Sequence, residues 1–275
     1  MYNELIKMKG GFTMNSSDFR SEARKKLQGK WGKAVGIILV YMLVFFAIAF
    51  IESLFPDSME GILSTISTII EVPLSFGLII SLMKLYNDEE IKVYEFFTLG
   101  FSNFAKSWKI SLQIFVKMLV PVILEIVSFV LLFSASIGVY WAVLNSSTSA
   151  TAGFGILFII GFILLIVSMI WAITKSYYYQ LAYLVAIDDP DLTAKEAVEN
   201  SKQLMTGKRG KLFGLQLSFI GWAILAALSF GIGFLWLIPY MQFSIIAFYK
   251  SASGNTSDIE AEVVTENNDN PIQGE

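Results

Sequence analysis

Neither cysteine nor histidine occurs among the 275 residues. Their absence excludes disulfides, thiolate nucleophiles, Cys/His zinc sites, haem ligation by imidazole and any triad or general base built on histidine. No catalytic residue, metal or other cofactor is therefore expected, while the lack of cysteine fits either redox compartment. Charge is scarce as well: Asp, Glu, Lys and Arg make up 16% of the chain, against about 25% in an average soluble domain. A Gly-rich phosphate loop is also missing.

Apolar residues fill the space. They reach 55% of the chain, aromatics 15%, and the mean hydropathy is +0.62. Several runs are long enough for the roughly 20 residues that cross a hydrocarbon core. They extend from about Lys33 to Phe55, Gly61 to Leu85 and Trp108 to Phe133, with a fourth from near Gly153 past Trp171 and an uncharged loop, Ser134 to Ala152, between the last two. The final region, Leu212 to Tyr249, is too long for one crossing, and Gly231-Ile232-Gly233 after Ser229 supplies the break for a helical hairpin. The expected fold is all-α, a polytopic transmembrane bundle of about six spans with amphipathic helices on its inner face. Gly153 to Ile187 also exceeds one crossing, so Tyr177 to Ile187 reads as a separate helix along the inner face, ended by Asp188-Asp189-Pro190.

Positive charge orients the bundle. Of the twenty Lys and Arg residues, all but Lys117 fall in segments on one side of the six-span arrangement. By the positive-inside rule, both termini and these loops are cytoplasmic in a multi-pass protein of a bacterial cytoplasmic membrane. Topology thus explains the basic segments better than nucleic acid does. Three regions follow: a cytoplasmic N-terminal segment, 1–32; the six-span domain, 33–250; and a tail, 251–275, with six acids and no base, expected to be disordered. Codons for Lys9-Gly10-Gly11 can read as a ribosome-binding sequence ahead of Met14, which makes Met14 an alternative start to Met1.

Two stretches read as inner-face helices. Ser17-Asp18 can start one in which Phe19, Ala23, Leu27 and Trp31 recur every four residues beside Arg20, Arg24, Lys25 and Lys26. Near an anionic surface each such base contributes on the order of 1 kcal/mol. In the second, Thr193-Ala194-Lys195-Glu196 matches a capping box, Gly207 can end the helix, and Ala197, Val198, Ser201, Leu204 and Met205 share a face. Lys208, Arg209 and Lys211 follow at headgroup level. These bases, Arg20, Arg24, Lys25, Lys26, Lys208, Arg209 and Lys211, are the candidate contacts to anionic membrane lipids, the expected partners beside a membrane protein or a second copy.

Ionisable residues inside the spans are costly unless paired or hydrated. Glu71 and Lys117 fall near mid-depth of antiparallel spans two and three, with Glu125 two turns farther along. The expectation is a Glu71–Lys117 salt bridge or a shared water-filled cavity, serving either as a structural pair or as a proton or cation pathway. Gln216, Ser218, Gln242 and Ser244 are expected to bond across the last two spans.

The C-terminal third carries Ser201-Lys202, Leu204-Met205, Gly207-Lys208, Leu217-Ser218-Phe219-Ile220-Gly221-Trp222, Gly231-Ile232-Gly233-Phe234-Leu235-Trp236, Pro239-Tyr240 and Phe248-Tyr249. With Ala23-Arg24 and Gly29-Lys30-Trp31 near the start, this pattern resembles the DUF975 family of polytopic membrane proteins, chiefly of Gram-positive bacteria. The resemblance implies a helical membrane protein and carries no reaction or catalytic residue with it. Where family members commonly show a Pro-Gly break in the fourth apolar region, this chain reads Ile170-Trp171-Ala172-Ile173-Thr174-Lys175. The expected function is a non-enzymatic accessory, envelope or lipid-interacting component of the membrane; the alternative is a small transporter or channel using Glu71, Lys117 and Glu125.

Overall fold

In the computed structural model, which describes residues 14–254, every regular element is a helix. The first, α1 (Ser16–Leu27), is started by Asn15, whose Oδ1 accepts from the Ser17 and Asp18 N–H groups at 2.7 and 3.2 Å while the Asp18 carboxylate accepts from the Asn15 N–H. Asn15, rather than Ser17, therefore supplies the cap. Gly29 at φ 76° breaks the helix, a conformation that costs glycine nothing. Trp31 consequently opens α2 (Trp31–Ser53) instead of continuing the basic helix. Phe19, Ala23 and Leu27 are fully buried, and Phe19 meets Phe248 with ring centroids 5.3 Å apart.

A short 3-10 turn, Asp57–Met59, joins α2 to α3 (Glu60–Tyr86). The hairpin is pinned by the Ser67 hydroxyl donating to Glu52 and by Tyr41 and Ser75, whose hydroxyls lie 3.0 Å apart. Next, α4 (Glu95–Ser102) returns along α3 so closely that a Cβ on Gly77 would run into the Phe96 carbonyl oxygen. Small residues permit such backbone approach in helix pairs packed without a water-driven core.

Two long helices follow, α5 (Phe104–Leu144) and α6 (Thr148–Tyr179). Asn145–Ser147 is all that separates them, so the loop expected at Ser134 to Ala152 is mostly helix. The reason is pairing between the two helices: Gly138 and Gly161 are buried between them, facing Phe154 and Leu131–Leu132. A break at Gln180–Leu181 then gives α7 (Ala182–Asp188), ended as expected at Asp188-Asp189. The capping box at Thr193 and Glu196 starts α8 (Ala194–Met205), Gly207 at φ 77° follows it, and Ala197, Val198, Ser201 and Met205 are buried as the periodicity required.

The final region forms α9 (Arg209–Leu217), α10 (Ile220–Leu228) and α11 (Phe234–Ser253). Its hairpin turns at Ser229–Gly233, with Phe230 and Gly231 at φ 54° and 85°, where the glycines predicted it. The second break, at Ser218-Phe219, carries no glycine or proline. Five stretches are long and apolar enough to cross a membrane: Trp31–Ser53, Asp57–Tyr86, Phe104–Leu144, Thr148–Asp188 and Arg209–Leu228. The expected sixth, α11, is not among these five. It is a mixed helix whose Phe243, Ile246, Ala247 and Phe248 are buried in protein.

Burial divides the molecule. One end is a packed core of α1, the second half of α3, α7, α8 and α11. At the other end, α2 beyond Val40, the first turns of α3, α10 and most of the α5–α6 hairpin expose Leu, Ile, Val and Phe on nearly every side. An aqueous surface does not sustain such an area, whereas lipid does. The acidic tail beyond Gly254, and residues 1–13, on which the alternative start at Met14 turns, lie outside the described residues.

Candidate functional site

The intramembrane charges do not converge. No Glu71–Lys117 ion pair forms among the described residues; Glu71 is half-buried on α3 within electrostatic reach of Tyr41. Lys117 is exposed on α5, and its carbonyl accepts from Lys175 Nζ of α6 at 3.0 Å. That contact fixes the hairpin register: Lys117 lies level with Lys175, roughly 40 Å of helix from the Asn145–Ser147 turn. With the turn at one face of a hydrocarbon core only about 30 Å thick, Lys117 falls at the open end of the hairpin rather than at mid-depth. The sequence misplaced it because α5 is 41 residues long, and an apolar run alone does not show where a bilayer cuts a helix of that length. Glu125, farther along α5, has no ion-pair partner among the described residues. Gln216 of α9 accepts from the Tyr177 hydroxyl of α6, while Ser218 and Ser244 donate to carbonyls three and four residues back, so among the described residues the bonds expected from Gln216, Ser218, Gln242 and Ser244 across the last two spans do not form.

The candidate headgroup bases divide by what each touches. Lys26 pairs with Asp88 at 3.5 Å. Lys208 Nζ donates to the Ala252 carbonyl at the end of α11 at 2.9 Å, and burial pulls its ammonium below the ordinary lysine pKa. Arg209 lies 4.1 Å from the centre of the Tyr178 ring. Arg20 Nη1 reaches the Ser218 carbonyl at 3.4 Å, and its Nε is buried without a hydrogen-bond partner. Lys25 and Lys211 are exposed.

Arg24 differs. Its Nη1 donates to Tyr240 Oη at 2.9 Å, and it lines a cavity of about 470 Å³ bounded by the start of α2, by α10, by the Ser229–Gly233 turn and by α11. Trp31, Trp222, Trp236 and Tyr240 make the aromatic wall, with Tyr240 edge-on to Phe219 at 5.1 Å. Trp222 and Trp236 are 56% and 50% exposed, and indoles are amphipathic rings of the kind that concentrate at membrane interfaces. Ser229 is already satisfied, donating to the Ala226 carbonyl at 2.6 Å and accepting from the Gly233 N–H at 2.8 Å. An apolar chamber with one cation on its wall therefore stands where basic α1 meets the aromatic belt. Sequence reasoning named Arg24 but not the chamber, since its walls come from both ends of the chain.

Curated proteins and solved structures give no match to this chain. A family model described as a protein of unknown function, DUF975, matches residues 13–256. The chain belongs to the DUF975 family.

Proposed function

We propose that this protein is a non-enzymatic accessory or lipid-interacting component of a bacterial cytoplasmic membrane, with both termini on the cytoplasmic side, a placement supported by the packing of Phe19 in α1 on Phe248 in α11. The observation that carries the reading is the Arg24 cavity: an apolar, aromatic-walled chamber opening at the basic amphipathic helix, a setting suited to binding amphiphiles. The inner-face helices α1 and α8 offer further surface to lipid or to a membrane partner. The transport alternative needs Glu71, Lys117 and Glu125 to share a path, and among the described residues none of the three forms an ion pair.

Affinity purification of the tagged protein from its native membrane in mild detergent, with identification of bound lipids and proteins, tests the reading. Retained anionic lipid or a stoichiometric protein partner is expected. Purification as a lipid-free lone oligomer that moves ions across liposomes, with the flux lost in Glu71→Gln, would overturn it in favour of transport.

A further inference from the structure

We infer that the cavity between α1, α2, α10 and α11 is a binding site for one acyl chain of an anionic phospholipid, with the lipid phosphate held by Arg24. The inference rests on the lipid-interacting reading and gives it a ligand class and a site. A guanidinium has five N–H donors. Arg24 commits one of them, to Tyr240, and forms no ion pair among the described residues. Its charge is therefore uncompensated by protein at the edge of an apolar chamber. Arginine's planar fork suits two phosphate oxygens at once.

The chamber sets the rest of the ligand. Its volume, about 470 Å³, falls within the roughly 300–1,000 Å³ of small-molecule sites, which suits a chain and excludes a whole partner helix. An ammonium ligand held by the same rings would face Arg24, and like charges at close range repel. The half-exposed Trp222 and Trp236 put the mouth at the interface, where a phospholipid presents its phosphate and the first part of its chain together. Arg20, one turn earlier on α1 and directed at the α9–α10 junction, adds positive potential beside the site.

The indoles supply the assay. Three of the six tryptophans, Trp31, Trp222 and Trp236, line the cavity, so a bromine-labelled acyl chain seated there quenches their fluorescence. The full chain is reconstituted into phosphatidylcholine vesicles carrying a small fraction of brominated phosphatidylglycerol or, separately, brominated phosphatidylcholine. Wild type is expected to be quenched more by the anionic lipid. Arg24→Gln lowers that preference about tenfold, the scale of one charge-assisted hydrogen bond, and Arg24→Lys lowers it less. Lys195→Gln, which removes an exposed base of α8, a helix that does not line the cavity, leaves it unchanged.

Equal quenching by the two lipids in wild type overturns the site, as does the same loss from Lys195→Gln as from Arg24→Gln, which would make the preference a property of overall charge. Abolition of the preference by inorganic phosphate at low millimolar concentration also overturns it, because free phosphate would then be the ligand. Any of these results leaves the broader accessory reading to be judged by the purification.

Discussion

Replacing Gly77 by alanine should separate two helices that touch backbone to backbone. A Cβ there would stand 2.6 Å from the Gly100 nitrogen, 2.8 Å from its Cα and closer still to the Phe96 carbonyl oxygen. None of these atoms is the far end of a side chain that can swing away, so α3 and α4 must part by roughly an ångström to restore van der Waals separation. Parting them loosens Leu74 and Phe96, both fully buried. Overpacking of this kind costs about 1–3 kcal/mol, and the upper end is expected because backbone is what yields. The alanine recovers up to about 1 kcal/mol of helix propensity, leaving a net loss of about 2 kcal/mol. Gly100→Ala runs into the Pro73 carbonyl oxygen and should cost as much. Because either change opens the same seam, the double variant should lose less than the sum of the two. The measurement is unfolding of the purified protein by a titrated denaturing detergent, followed by tryptophan fluorescence, with Gly155→Ala as control, since nothing lies within 4 Å of a Cβ there. If Gly77→Ala unfolds at the same midpoint as Gly155→Ala, the close contact of α3 and α4 is wrong.

Thr193→Ala should cost about 1 kcal/mol in the same titration by removing the capping box of α8, whereas Thr193→Ser should cost far less. With cysteines placed in this cysteine-free chain, the pair at Lys117 and Lys175 should cross-link through a short bifunctional reagent and the pair at Glu71 and Lys117 should not; the reverse pattern would restore the mid-membrane ion pair. Asp88 is held below its ordinary pKa chiefly by the Lys30 hydrogen bond. Its contribution is thus present above the ordinary carboxylate value near 4 and lost as pH falls through the lower folded value. Asp88 is itself exposed, so the effect is at most about 0.5 kcal/mol. Asp88→Asn, which tolerates the φ of 66° found there, should flatten that acid limb in thermal unfolding scans without a larger loss at neutral pH.

Much of the fold is legible in local chemistry. The apolar runs require helices in lipid, the periodicity of Phe19, Ala23 and Leu27 names a buried face, and Thr193 with Glu196 and Gly231 with Gly233 mark a start and a turn, because each signal acts within a few residues. What escaped the sequence depends on contacts between distant segments. Helices α5 and α6 run through a loop expected between them because buried small residues let them pair almost to the tip, and that pairing sets Lys117 level with Lys175.

An all-helical chain suited to a bilayer and equipped with basic amphipathic segments follows from the order of residues alone, since hydropathy, capping and periodicity are properties of neighbours. Which base faces an apolar chamber is a matter of packing across the whole molecule. Arg24 and Tyr240 are 216 residues apart, and no local rule brings the first helix against the last; the packing of Phe19 on Phe248 does.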